Sequence, residues 1–291
     1  MAGALGEVGS SLDQAILANG NDAIPVSSKA PIADATDIQG PAQVGWCLAG
    51  GSVDALLHEG GPGNHRTGKY EVQQWTNELL AICADLPAAL ISTPRVLEGR
   101  IKAPSESAAG RPLTTYGQVN TDQNQLWLTQ SNARVLRLVN YFCSLTSATS
   151  PQISLLLWSS LLEGWRSGHI TVPSTGSTTR EFIDATEANH AIELLIDGSP
   201  FDRIVAAAPG LLTTSQQLGQ ASISVGNVAG RKDVTATFKG ETFEAPWHLS
   251  SSWLARHGWS SGLTLHRMTE EISRWLVEWV STISYNASDR G

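Results

Sequence analysis

The sequence predicts a mainly α-helical fold with a small antiparallel β element, an α+β body preceded by an extended N-terminal arm. Three observations lead there. Apolar residues recur at steps of three and four along several segments. A period of two is confined to one stretch, 221–243. The first 45 residues contain no aromatic side chain.

Those residues, 1–45, are rich in Ala, Gly, Ser and Pro, acidic apart from Lys29, and too poor in apolar mass to enclose a core. Pro25, Pro31 and Pro41 keep the chain extended. Its apolar positions, Ile16, Leu17, Ile24, Val26 and Ile32, are expected to be buried against another molecule. The predicted organisation is therefore an arm, 1–45, and one α-rich domain, 46–291.

Within the body, Val72, Trp75, Leu79 and Ile82 predict a helix that stops at Pro87. After a loop from Thr93 to Thr121, long enough to suggest a role, Leu128, Val135, Leu138, Val139, Phe142 and Leu145 predict a second helix. Ser150-Pro151 starts a third, carried by Ile153, Leu156, Leu157, Leu161 and Trp165 towards Gly168. Thr178 to Glu181 reads as a capping box for a fourth, running through Phe182, Ile183, Ile192 and Leu195 to Gly198. Ile223 and Val225, then Val234, Ala236 and Phe238, alternate around a turn at Gly230 to Asp233 and predict a β-hairpin or meander over 221–243. The last helix is the clearest, with Leu265, Met268, Ile272, Trp275, Trp279 and Ile283 on one stripe.

Composition narrows the function classes. A net charge of −8 argues against a general grip on phosphate backbones. Cys47, Cys83 and Cys143 have neither CxxC spacing nor a zinc-finger partner, so reduced cysteines are expected. The N-terminus lacks a signal-peptide pattern and no apolar run reaches membrane-spanning length, which predicts a reducing, aqueous compartment and no membrane partner.

The motif fragments are incomplete. Gly63 to Lys69 has P-loop spacing, but Tyr70 stands where Ser or Thr must hold magnesium. Gly258 to Gly262 satisfies G-x-S-x-G around Ser260, but Trp253 to His257 is not strand-like and too little chain follows Ser260 for that topology, so Ser260 and Ser261 are expected to cap the last helix. His248, His257 and His266 fit no zinc spacing. No catalytic, cofactor-binding or metal-binding residue is assigned, and no cofactor is expected. Arg134, Arg137 and Arg166 are candidate contacts for RNA or another anion.

An extended arm, an α-rich body with a small β element and the lack of catalytic motifs together resemble the coat and capsid proteins of RNA viruses. The resemblance is one of architecture and composition. It implies a non-enzymatic capsid, clamp or outer-shell subunit that self-associates through its arm and helical body. The partners would be copies of itself and other shell proteins, with any nucleic acid held elsewhere than on the acidic arm, and the location the virion or host cytoplasm. Two other readings stay open: a soluble, hydrolase-like enzyme around Ser260 with the 93–121 loop as lid or rim, and a nucleoprotein gripping RNA through Arg134, Arg137 and Arg166.

Overall fold

The computed structural model describes residues 26–27, 38–39, 56–59, 76–81, 86–99, 104–142, 164–172, 175–197, 203–240 and 248–288. They fall into two compact units. The first comprises Met1–Val139, Ala185–Ala208 and Leu249–Ser260, the second Asn140–Asp184, Pro209–His248 and Ser261–Gly291.

The first unit is built on a parallel sheet, which corrects the expected fold class: the protein is α/β. Strands β3 (Leu56–Glu59), β4 (Ala88–Ser92), β5 (Ala133–Leu138) and β9 (Ile204–Ala207) pair in that order, each with its neighbour in parallel. Helix α1 (76–81) and helix α2 (Thr115–Trp127) supply Leu79, Leu80 and Trp127 to a core with Ala88, Leu90, Ala133 and Val135. Burying each large apolar side chain contributes about 1.5–3 kcal/mol. Helix α4 (Ala185–Asp197) covers β4 and β5 as well, burying Ala188, Ala191, Ile192 and Leu195.

The segment read as a second helix from Leu128 onwards is thus β5 followed by β6 (Asn140–Phe142). A strand buried on both faces shows no period of two, so its apolar run passes for a helical stripe.

In the second unit β8 (Thr179–Asp184) lies between β6, which it meets in parallel, and β10 (Leu212–Thr214), which it meets antiparallel. The capping box expected at Thr178 is therefore replaced by a strand that passes directly into α4. A short helical segment, α3 (164–167), precedes β7 (His169–Val172), which pairs in parallel with β11 (Thr235–Phe238).

Helix α5 (Ser215–Val228) starts at a capping box of Thr214 and Gln217 and stands where the first strand of a hairpin was expected. It packs on β7 and β11, where Ile170, Val172 and Val234 form a core with Ile223, Ala236 and Phe238. A Cβ at Gly219 would lie 2.8 Å from Phe238, and one at Gly226 2.8 Å from Val234, so these glycines permit the close approach. Helix α7 (Leu265–Ser288) forms as expected and packs on α5. Its cap is Thr264, whose hydroxyl accepts from Arg267 N at 3.1 Å, and not Ser260 or Ser261.

Of the arm, only β1 (Val26–Ser27) and β2 (Ile38–Gln39) are described. They pair with each other in parallel, Val26 opposite Ile38. Ile16, Leu17, Ile24 and Ile32 lie outside the described residues, as do the P-loop-like segment 63–69 and the three cysteines. No helix among the described residues is long and apolar enough to cross a membrane.

Candidate active site

At the carboxyl end of β4 the chain runs out of apolar residues at Ser92 and leaves the sheet. Thr93 is extended, and its hydroxyl caps the 3-10 turn Pro94–Leu97 by accepting from Arg95 N at 3.3 Å. Pro94, in the first position, is pre-set for such a turn. The turn ends at Glu98, whose side chain is buried. One carboxylate oxygen accepts from Arg95 at 2.6 Å and the other from the Thr114 hydroxyl at 2.8 Å.

Thr114 is also the N-cap of α2, accepting from Gly117 N at 3.1 Å. Gly117 is required here, since a Cβ would sit 2.7 Å from the Arg95 carbonyl oxygen. Its bare backbone lets the first turn of α2 lie directly against the 3-10 turn, which brings Tyr116 to Thr93.

The Tyr116 phenol is hydrogen-bonded with the side chains of Thr93 and Asn120. Asn120 follows one helical turn later on the same face and donates to the Tyr116 carbonyl at 2.9 Å. Burial raises the phenol above its ordinary pKa of 10, and the Thr93 bond, the Arg95 charge and the Asn120 bond only partly offset this. At neutral pH Tyr116 is therefore a proton donor. Ser92, which precedes Thr93 at the end of β4, has a buried hydroxyl with no partner among the described residues.

A second polar cluster in this unit is structural. The buried Glu106 carboxylate accepts from Ala206 N at 3.1 Å, from Trp253 N at 2.9 Å and from the Ser252 hydroxyl, joining β9 to helix α6 (Ser252–Arg256). Its backbone carbonyl accepts from Arg137 at 2.8 Å.

Of the residues expected to contact anions, Arg137 also donates to the Ala108 carbonyl at 3.0 Å, and burial depresses its pKa to about 10. Arg134 donates to the Leu195 carbonyl. Arg166 is exposed in the second unit, where its carbonyl accepts from Arg231 at 2.8 Å. Ser260 is exposed and follows α6 without an intervening strand, and the nearby His257 ring stacks on Trp253 at 3.9 Å. No group of histidines, cysteines and carboxylates among the described residues could hold a metal.

Thr93, Tyr116 and Asn120 were not singled out by sequence reasoning, although they fall within or beside the loop marked for its length. A tyrosine and an amide four residues apart, behind a Thr-Thr cap, was the available signal.

No protein-family profile matches the sequence, and neither does any curated protein sequence. Solved structures do match. UDP-glucose 4-epimerase from Thermotoga maritima superposes with a TM-score of 0.77 at 12% identity, covering 95% of this chain and 97% of that one. L-threonine dehydrogenase from Clostridium difficile gives 0.76 at 13%, over 95% and 96%. dTDP-glucose 4,6-dehydratase from Bacillus anthracis, in complex with NAD, gives 0.75 at 12%, over 96% of each chain.

At such identities the likeness shows the fold, the Rossmann-like α/β fold of these enzymes. It overturns the resemblance to viral coat proteins, and with it the capsid and virion reading. That reading required a mainly helical body, whereas the chain shares nearly its whole length with enzymes built on parallel strands. The expectation of a non-enzymatic shell protein is corrected on the same ground.

Proposed function

We propose that this chain is an enzyme that interconverts a secondary alcohol and a ketone with a nicotinamide dinucleotide as hydride partner, the alcohol belonging to a sugar nucleotide. The observation that carries the reading is the Tyr116 phenol held by Thr93 and Asn120 at the carboxyl edge of a parallel sheet. The fold likeness supports it, since the matching structures include a sugar-nucleotide epimerase and a sugar-nucleotide dehydratase, the latter in complex with NAD.

Ligands of open parallel sheets bind beyond the carboxyl ends of the strands. The unpartnered, buried Ser92 hydroxyl at that edge fits a polar ligand there. When bound, the dinucleotide supplies the hydride acceptor in one direction and the hydride donor in the other.

The proton belongs to the chain. In the reductive direction Tyr116 gives its hydroxyl proton to the ketone oxygen as the carbonyl carbon gains hydride, so that a neutral alcohol forms. The phenolate left behind regains a proton from solvent. Thr93 and Asn120 hold the phenolic oxygen in place, and Thr93 is near enough to the same point to orient the substrate oxygen. In the oxidative direction the tyrosine must first lose its proton. Because its pKa is raised, oxidation accelerates with pH across the neutral range while reduction stays flat.

The test incubates the protein with oxidised dinucleotide and a panel of uridine and thymidine diphosphate sugars, followed by nicotinamide absorbance and product analysis. Turnover of at least one sugar is expected, reduced about a hundredfold or more in Tyr116→Phe with dinucleotide affinity retained. The absence of both hydride transfer and dinucleotide binding would overturn the reading.

A further inference from the structure

Glu98 is a buried carboxylate that no step above uses. Its side chain is 1% exposed, and its two oxygens are committed to different elements: one to Arg95 of the 3-10 turn, the other to Thr114, the N-cap of α2. Both contacts end within two residues of the groups that meet at the phenol, Thr93 and Tyr116. We propose that Glu98 is a positioning residue for Tyr116, neutralising Arg95 and pinning the α2 cap so that the tyrosine meets its substrate as an uncharged proton donor. This deepens the reading of Tyr116 given above and rests on it.

Among the described residues the charges around the phenol are few. Strand β4 carries none. Strand β5 carries Arg134 and Arg137, which donate to the carbonyls of Leu195 and of Glu106 and Ala108. Helix α2 carries only Asp122, which accepts from Gln118 at 2.8 Å. Arg111, in the segment leading into α2, is exposed. That leaves the Arg95–Glu98 pair, in which the carboxylate cancels a cation that would otherwise favour the phenolate.

The test reads Tyr116 directly. In protein labelled with carbon-13 at the tyrosine ring, the Tyr116 resonance is assigned with Tyr116→Phe and followed against pH without dinucleotide or substrate. Glu98→Gln keeps an acceptor for Thr114 but removes the charge. Its Tyr116 midpoint should fall by about one unit, a tenfold change in ionisation constant, and Arg95→Gln in the same chain should abolish the fall. Arg95→Gln alone, which leaves the carboxylate uncompensated, should raise the midpoint and decides the matter should Glu98→Gln fail to fold. A midpoint unmoved by these changes, or a fall that persists without Arg95, overturns the proposal. The titration needs no cofactor, so its failure is separate from failure of the dinucleotide reading.

Discussion

Two buried carboxylates of the first unit show how similar groups serve different ends. Glu106 accepts from two backbone N–H groups and a serine, donors whose positions the fold determines. Glu98 accepts from an arginine and a threonine side chain, and the arginine remains 38% exposed. Backbone and hydroxyl donors on fixed elements make a staple between those elements. A carboxylate paired with a part-exposed cation beside a phenol makes an adjustable field. Burial alone does not mark a functional acid; the charge and exposure of its partners do.

The largest expected effect that sharpens this contrast is Glu106→Ala. It strands the Ala206 and Trp253 N–H groups in the interior and should cost about 4 kcal/mol of stability by urea unfolding, leaving the Tyr116 titration unchanged. Next comes Tyr116→Phe, expected to lower turnover about a hundredfold or more while moving stability by under about 1 kcal/mol. Equal losses of stability and turnover in both variants would erase the distinction. Arg137→Met removes a buried cation but leaves two carbonyls without donors, for a net loss of about 2 kcal/mol in the same unfolding measurement. The smallest effect is that of Gly117→Ala. Its Cβ would force the α2 cap away from the Arg95 carbonyl, costing about 1 kcal/mol, with turnover falling about tenfold because Tyr116 shifts relative to Thr93.

The parts of the fold legible in the sequence were those whose buried face is apolar and continuous. Helix α7 follows its stripe of Leu265 and Met268, and helix α1 falls within the predicted 72–82 pattern. The rest was hidden by identifiable physics. Helix α5 buries Ser215, Gly219, Ser222 and Gly226, small residues that leave Ile223 and Val225 to mimic a strand. Strand β8 and helix α4 join without a loop, so Phe182 to Leu195 reads as one helix.

The site was concealed in the same way. Helix α2 buries Asn120, Thr121, Gln123 and Asn124, so no hydrophobic period marks it and the segment reads as a long loop. The 93–121 segment contains Thr93, Tyr116 and Asn120, but a tyrosine gains meaning only once the Arg95 turn is folded against Gly117. Packing of two segments about twenty residues apart created that juxtaposition, and neither segment carries it alone.

The most direct measurement is a titration of the wild-type protein with reduced nicotinamide dinucleotide, followed simultaneously by nicotinamide fluorescence and by the Tyr116 carbon-13 resonance. Saturable binding of one dinucleotide per chain, with a matching shift at Tyr116, is the predicted result. Fluorescence and resonance that both stay flat up to millimolar dinucleotide contradict it.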